Sequence, residues 1–345
     1  MLTSSDIARV LAHYDLGVAE GAIAFGHGFV NETAIVTTSR GRFVVRRNHR
    51  RIGFPTHRYR HALTAWARAH GAPTAAILPA RNGDTLVVLD GRAYEVQEYI
   101  EGCDFDPSCP LQVAAAGAAL ARFHLAAEGF APPPAPTEPR YAPRALHGLV
   151  ERLLERDVMG ELHEDLAWYD ARAALLRTLL PDAAYAALRH LLIHGDVHPD
   201  NFRFAGDQVA GLLDLDQVAW DARVVDLADA LVAFCSAARP KEPQGWGVFR
   251  GPLDEGRAVA LLAAYASLAP LTPAEAAALP VAVEVLWLRG ALGRVVSTPE
   301  GAPEYHLEVL EQGRRLSGWI ATRREALTAR WNACATGGSG KACPR

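Results

Sequence analysis

Eight consecutive residues, His194–Asn201 (HGDVHPDN), with Asp214 thirteen positions further on, constrain this chain more than any other part of it. The segment comes after an apolar stretch and is rich in helix breakers, so it reads as a loop. It holds Asp196 and Asn201 five residues apart. NFRF, AGD and QVAGLLDLD then read as two strands and a turn, and the second strand returns Asp214 beside the loop. Two carboxylates and a carboxamide converge. Oxygen donors of this kind suit a hard cation, Mg2+ above all, with phosphate oxygens and water completing the octahedron. A carboxylate left off the metal can take a proton from an alcohol. Kinases divide the work this way: one aspartate orients the nucleophilic hydroxyl, while an asparagine and a second aspartate hold metal on the phosphates. Two other readings exist for His194, Asp196 and His198: a loop-capping cluster, or alternating zinc ligands of a hydrolase. The hydrolase reading leaves Asn201 and Asp214 without a role.

Around this loop the chain changes character twice. The first residues, MLTSSDIARVLAHYDLG, read as a capped amphipathic helix and lack the continuous apolar run of a signal peptide. Residues 22–102 alternate as short strands, with hairpins at Ser39–Gly41 and Asp90–Gly91 and one helix over 56–70. After Gly102, helical periodicity dominates: 111–128, 144–160, 163–180, then nearly all of Asp226 to Trp331. The proline-rich stretch 131–143 is a loop, and the Gly/Ser-rich tail from about 333 is expected to be disordered. The pattern predicts an α+β fold, with a small antiparallel-sheet lobe over 1–102 and a mainly helical lobe over 103–332.

The HGDxHxxN pattern, the Asp after a hairpin, and a further Asp opening a helix (Asp226 in VVDLADAL) resemble the aminoglycoside phosphotransferase family, related to protein, choline and homoserine kinases. The resemblance implies a two-lobed protein-kinase-like fold and an ATP-dependent kinase. It implies Asp196 as catalytic base and Asn201 and Asp214 as Mg2+ ligands. It implies His194, His198 and Asp226 as supports of the catalytic loop. In layout the N-terminal half is more similar to the homoserine-kinase-like and stress-kinase-like branches than to antibiotic-resistance enzymes. The implied partners are ATP with Mg2+ and a small hydroxylated metabolite.

On the nucleotide side, FGHGFVNET places Gly26 and Gly28 where the family has a phosphate-covering turn, although a plain hairpin fits as well. VQEYIEG matches the linker between lobes, with Glu98, Tyr99 and Ile100 offering backbone groups to adenine; an ordinary edge strand is the other reading. The strand FVVRR departs from the pattern. A kinase-like fold usually carries a lysine there, paired with a helix glutamate. The chain has only Lys241 and Lys341, both far from this strand, and Arg46 stands at the expected place. The next helix, HRYRHALTAWARAH, has no glutamate, and residues 40–60 hold eight arginines. Arginine grips phosphate with a different geometry from lysine, so a non-catalytic nucleotide- or metabolite-binding protein on the same fold is the alternative.

For the acceptor, Asp216 and Trp220 come shortly after the metal aspartate, and Glu284 and Arg289 lie on a C-terminal helix where the family often binds acceptors. The tail carries GGSGKA, which imitates a phosphate-binding loop but lacks its first glycine and its Ser/Thr. A net charge of −4 gives no overall field for nucleic acid or anionic lipid. Five irregularly spaced cysteines, without CxxC pairs, predict reduced thiols in the cytoplasm. No run of about 18 apolar residues predicts a membrane span. A monomer or a homodimer is expected.

Overall fold

The computed structural model describes residues 2–21, 23–26, 31–49, 52–131, 139–157, 160–237, 252–298 and 303–335. It begins with α1 (Ser4–Leu11), started by a capping box: Thr3 Oγ1 accepts from the Asp6 N–H at 3.1 Å, and the Asp6 carboxylate accepts from the Thr3 N–H at 3.0 Å. Strands β1 (Ala24–Gly26), β2 (Glu32–Thr38) and β3 (Gly41–Arg47) come next. Then come α2 (Phe54–Ala69), β4 (Val87–Leu89) and β5 (Arg92–Glu98). The five strands form one antiparallel sheet in the order β1-β2-β3-β5-β4.

Both expected hairpins form. Ser39 and Arg40 turn β2 into β3, with Thr38 opposite Gly41. Asp90 (φ 52°) and Gly91 (φ 71°) turn β4 into β5, two consecutive left-handed residues of the kind that match strand twist. Because β3 lies beside β5, Arg46 stands directly opposite Glu95. Helix α2 starts two residues before the predicted position because Pro55 favours the first turn. Its Leu63 and Ala67 are buried in the larger core, which also holds the helix after it, while His57, His61 and Thr64 line the cleft beside the sheet. The helix is therefore a joint between the sheet and the helical part.

The helical part contains α3 (Pro110–Ala127), α4 (Ala145–Leu154), α5 (His163–Leu179), the short α6 (Asp182–Ala186), α7 (Val224–Cys235), α8 (Glu255–Ala266), α9 (Pro273–Ser297), α10 (Pro303–Ala321) and α11 (Arg324–Ala335). Two small antiparallel pairs sit among these helices: β6 (His190–Ile193) with β9 (Ala219–Ala222), and β7 (Phe202–Ala205) with β8 (Gln208–Leu212). The β7–β8 hairpin is the one the sequence predicts. The β6–β9 pair is not, because its members are four residues long and 26 positions apart, beyond any local pattern.

Two further expectations change. Helix α9 is long and apolar enough to cross a membrane, but 78% of its most apolar stretch is buried inside the protein, among α4, α7, α10 and α11. Residues 333–335, expected in the disordered tail, belong to the last turn of α11, where Ala335 is buried and its carbonyl accepts from the Leu271 N–H at 2.8 Å. The GGSGKA segment lies outside the described residues.

Candidate active site

Strand β6 delivers the chain to His194, and α7 anchors the loop that begins there. The Asp226 carboxylate, fully buried in the first turn of α7, accepts from the His194 N–H at 2.6 Å and the Gly195 N–H at 2.8 Å. It also meets His124 Nε2 at 2.9 Å, and His124 Nδ1 lies 2.8 Å from the Tyr265 hydroxyl. The consistent arrangement has Nε2–H donating to Asp226 and Tyr265 O–H donating to Nδ1. A carboxylate in the first turn of a helix is further favoured by the helix dipole. One turn on, Asp229 accepts from the Val197 N–H at 2.6 Å. Removal from water, together with Asp226 and Asp196, pushes the Asp229 carboxyl up to about 8, against the Val197 N–H. Asp229 is a support of the loop that the sequence reading does not include. Its spacing of three from Asp226 in VVDLADAL, which puts both on one helix face, is the signal that could have found it.

Gly195 is the loop's sharp point. Its φ of +77° suits glycine, and a Cβ there would lie 2.4 Å from the Gln217 carbonyl oxygen. His194 Nε2 donates to the Leu213 carbonyl at 2.9 Å, and the Leu213 N–H donates to the Asn201 carbonyl at 2.8 Å. These two bonds tie the loop to the end of β8, one residue before Asp214. Asn201 Nδ2 donates to the Asp196 carbonyl at 2.8 Å, leaving Oδ1 as the carboxamide atom for a cation. His198 Nε2 lies 3.1 Å from Asn201 Nδ2 and 3.6 Å from the Asp196 carboxylate. Burial pushes the Asp196 carboxyl up, but His198, His194 and Asn201 together outweigh it and hold the group below the usual carboxylate range. Reciprocally, burial opposes charge on His198, while Asp196, Asp200 and Asp229 raise its pKa. Asp196 is therefore ionised at neutral pH, and its side chain is 43% exposed, open to a substrate.

Asp214 adopts a left-handed backbone (φ 59°, ψ 67°), which for a non-glycine residue stores about 1 kcal/mol or more. Its side chain is 41% exposed. An Asn carboxamide, an exposed carboxylate at a bent backbone and a second carboxylate nearby are a donor set that fits Mg2+. Among the described residues no group of three His, Cys, Asp or Glu is placed to hold a metal, so His194, Asp196 and His198 do not form the zinc triad of the hydrolase reading.

Arg46 reaches this site from β3. It is 7% exposed; its Nη2 lies 3.0 Å from Asp214 Oδ1 and 2.6 Å from Asp216 Oδ2, and its Nη1 lies 3.7 Å from Glu95 Oε1. Burial opposes its charge, but Glu95, Asp216 and Asp214 raise its pKa further above the usual arginine range. Asp216 also accepts from Asn31 Nδ2 at 2.6 Å and faces Arg60 at 3.5 Å. Asp216, expected at the acceptor entrance, lies in the structure against Arg46, Arg60 and Asn31. A cleft lined by Arg46, His57, Arg60, Glu95, Asp214 and Asp216 results.

Other expected nucleotide residues are less open. The Glu98 N–H is bonded to the Ala76 carbonyl at 2.9 Å, and its carboxylate to Arg68 at 3.0 Å. Tyr99 lies under the Arg42 guanidinium, 4.2 Å from ring centre to Cζ. Ile100 packs on Gly211. Gly26 ends β1 opposite Thr33, and Gly28 lies outside the described residues.

Glu284, expected at the acceptor, is instead fully buried. It binds Arg172 Nε at 2.5 Å, Ser317 Oγ at 2.6 Å and Arg324, joining α5, α9, α10 and α11. Both oxygens are engaged by protein groups, and the side chain has no exposed surface. Glu284→Ala should destabilise the fold by about 3 kcal/mol, the range for stranding a buried charge; chemical denaturation reads this, and the KM for the acceptor should stay within twofold, about 0.4 kcal/mol. Arg289 stacks 5.0 Å from the Tyr141 ring centre, and Trp220 is half-buried on β9.

Comparison with known proteins agrees with this architecture. A family model described as "Phosphotransferase enzyme family" matches residues 21–279. A curated homoserine kinase from Phenylobacterium zucineum (strain HLK1) is 29% identical over 319 residues, covering 92% of this chain and 93% of its own. The crystal structure of an aminoglycoside phosphotransferase from Alicyclobacillus acidocaldarius subsp. acidocaldarius DSM 446 superposes with a TM-score of 0.65 at 19% identity, covering 96% of both chains. A microcompartment-associated aminopropanol kinase gives 0.62 at 16% identity, covering 95% of this chain and all of the other. With the family model spanning most of its length, and with the sheet, loop and helices in place, this chain belongs to the phosphotransferase enzyme family.

Proposed function

We propose that this phosphotransferase moves the γ-phosphoryl group of ATP, with Mg2+, to the hydroxyl of a small amino alcohol of the homoserine class. The observation that carries the reading is the pair of bonds at Leu213, to His194 and to Asn201, which draws Asp196, Asn201 and Asp214 together beside Arg46. In this reading Asn201 Oδ1 and the Asp214 carboxylate hold Mg2+, which when bound neutralises charge on the phosphates. Arg46 binds phosphate oxygens through its guanidinium fork. Asp196, ionised and partly exposed, accepts a hydrogen bond from the acceptor hydroxyl, aims its oxygen at the γ-phosphorus and takes its proton as the new O–P bond forms and the P–O bond to the leaving ADP breaks. Little covalent chemistry is asked of the protein; positioning and charge do most of the work.

The acceptor class rests on the homoserine kinase relatives, which match along nearly the whole chain at about 29% identity. Thiols rather than disulfides at Cys103, Cys109 and Cys235 accord with action in the cytoplasm, as a monomer or homodimer. The test is ADP release with Mg·ATP and a panel of hydroxylated amino acids, amino alcohols and sugars. Homoserine or a close amino alcohol should give the highest kcat/KM. Mg·ATP at 100 times its Kd should also stabilise the fold by about 2.7 kcal/mol, where ATP with chelator should not. Binding of nucleotide without ADP release for any acceptor would favour the binding-protein alternative.

A further inference from the structure

The usual partner of the phosphate-binding cation in a kinase is a carboxylate on the next helix. Helix α2 has none; it presents His57, Arg60, His61 and Thr64 to the cleft, and of these His61 meets Glu95. The carboxylate sits instead on the neighbouring strand. Glu95 is 2% exposed and stands opposite Arg46 in the β3–β5 register. Its Oε1 accepts from Gln97 Nε2 at 2.6 Å and faces Arg46 at 3.7 Å. Its Oε2 accepts from Asn48 Nδ2 at 2.7 Å and meets His61 Nε2 at 2.8 Å. Four side chains from β3, β5, the segment after β3 and α2 thus converge on one buried carboxylate.

We propose that Glu95 is the positioning residue for Arg46, so that the cation–carboxylate pair is built within the sheet and α2 is tied to it through His61. This rests on the reading of Arg46 as a phosphate ligand. The remaining carboxylates on Arg46 are Asp214 and Asp216, both on the segment after β8. Glu95 is the counterweight on the opposite side. Arg46 Nη2 already rests on Asp214 at 3.0 Å and Asp216 at 2.6 Å, so without the Glu95 charge Nη1 loses its own carboxylate and the whole guanidinium is drawn further toward Asp214, where it competes with metal and turns away from the phosphates. A carboxylate on the same strand layer as the cation holds it at fixed register whatever the angle of α2, unlike a helix-borne partner.

Steady-state kinetics on the full chain test this. Glu95→Gln should raise the KM for Mg·ATP by about tenfold, equivalent to about 1.4 kcal/mol, with kcat within about twofold. In an Arg46→Ala background the same substitution should change that KM by less than about twofold, because Glu95 acts through Arg46. Adding His61→Glu to Glu95→Gln, which returns a carboxylate to the helix, should recover at least half of the loss on a logarithmic scale. Should Glu95→Gln fail to fold, Asn48→Ala and His61→Ala, each removing one partner of Oε2, take its place, and each should raise the KM for Mg·ATP while sparing kcat. An unchanged KM, or equal effects with and without Arg46, overturns the proposal. So does a double variant no better than Glu95→Gln. Each of these leaves the kinase reading intact as long as the parent releases ADP with an acceptor; no ADP release from the parent with any acceptor sinks that reading instead.

Discussion

Asp196→Asn should fold as the parent does, bind Mg·ATP with a similar Kd, and lose about a thousandfold in kcat or more, the upper part of the range for a positioned acid or base. The side chain is nearly isosteric and partly exposed, so little packing is disturbed. What is lost is the negative acceptor. Asp196 is ionised because His198, His194 and Asn201 together outweigh the effect of burial, and an amide there cannot take the proton of an attacking hydroxyl. Single-turnover measurement separates the outcomes: chemistry slows while nucleotide binding, read by calorimetry, does not. Turnover within tenfold of the parent would remove Asp196 from the mechanism.

Asp226→Asn should fail differently, in stability and in rate together. The carboxylate is fully buried and accepts from two backbone N–H groups and His124. An asparagine presents one acceptor oxygen and one NH2 group, so at least one of those donors faces another donor. Stability should fall by about 3 to 5 kcal/mol, the range for breaking a buried charged network. The surviving folded fraction should lose about a hundredfold in kcat, because the loop carrying Asp196 loses its anchor and a displacement of about 1 Å is enough. A denaturant melt and kcat on the same sample check both. Parent-like stability would mean that His194 and Gly195 are held by something other than α7.

Both residues are readable in the sequence, and so is much around them. HGDVHPDN, the NFRF–QVAGLL hairpin and Asp214 lie within about twenty residues. Their contacts depend on loop length, strand pairing and helix-breaking residues, all local properties. The same holds for the Asp90–Gly91 turn and the capping box at Thr3. Asp229 is equally local; its spacing from Asp226 carries the signal, and the HGDxHxxN pattern does not include it.

The rest needed tertiary structure. Arg46 is legible as a residue out of place, but its partner is not. Glu95 is 49 positions away and becomes a neighbour only because β5 inserts beside β3 in one register; a slip of one residue would turn it to the opposite face. Asp216 shares a five-residue span with Trp220, and sequence cannot say which side of the cleft each faces. The bend at Asp214 and the pull of Arg46, Arg60 and Asn31 put Asp216 against β3 and α2. Glu284 reads as a polar residue available on a helix and is instead enclosed by Arg172, Ser317 and Arg324 from three other helices. Sequence alone carried the succession from a strand-rich region through the loop to the helices, and the closeness of Asp196, Asn201 and Asp214, because those depend on contacts a short chain segment makes with itself. Only the tertiary structure decided which charges meet across the cleft, because burial makes an unpaired charge costly and the partner that satisfies it can come from any element that packs nearby.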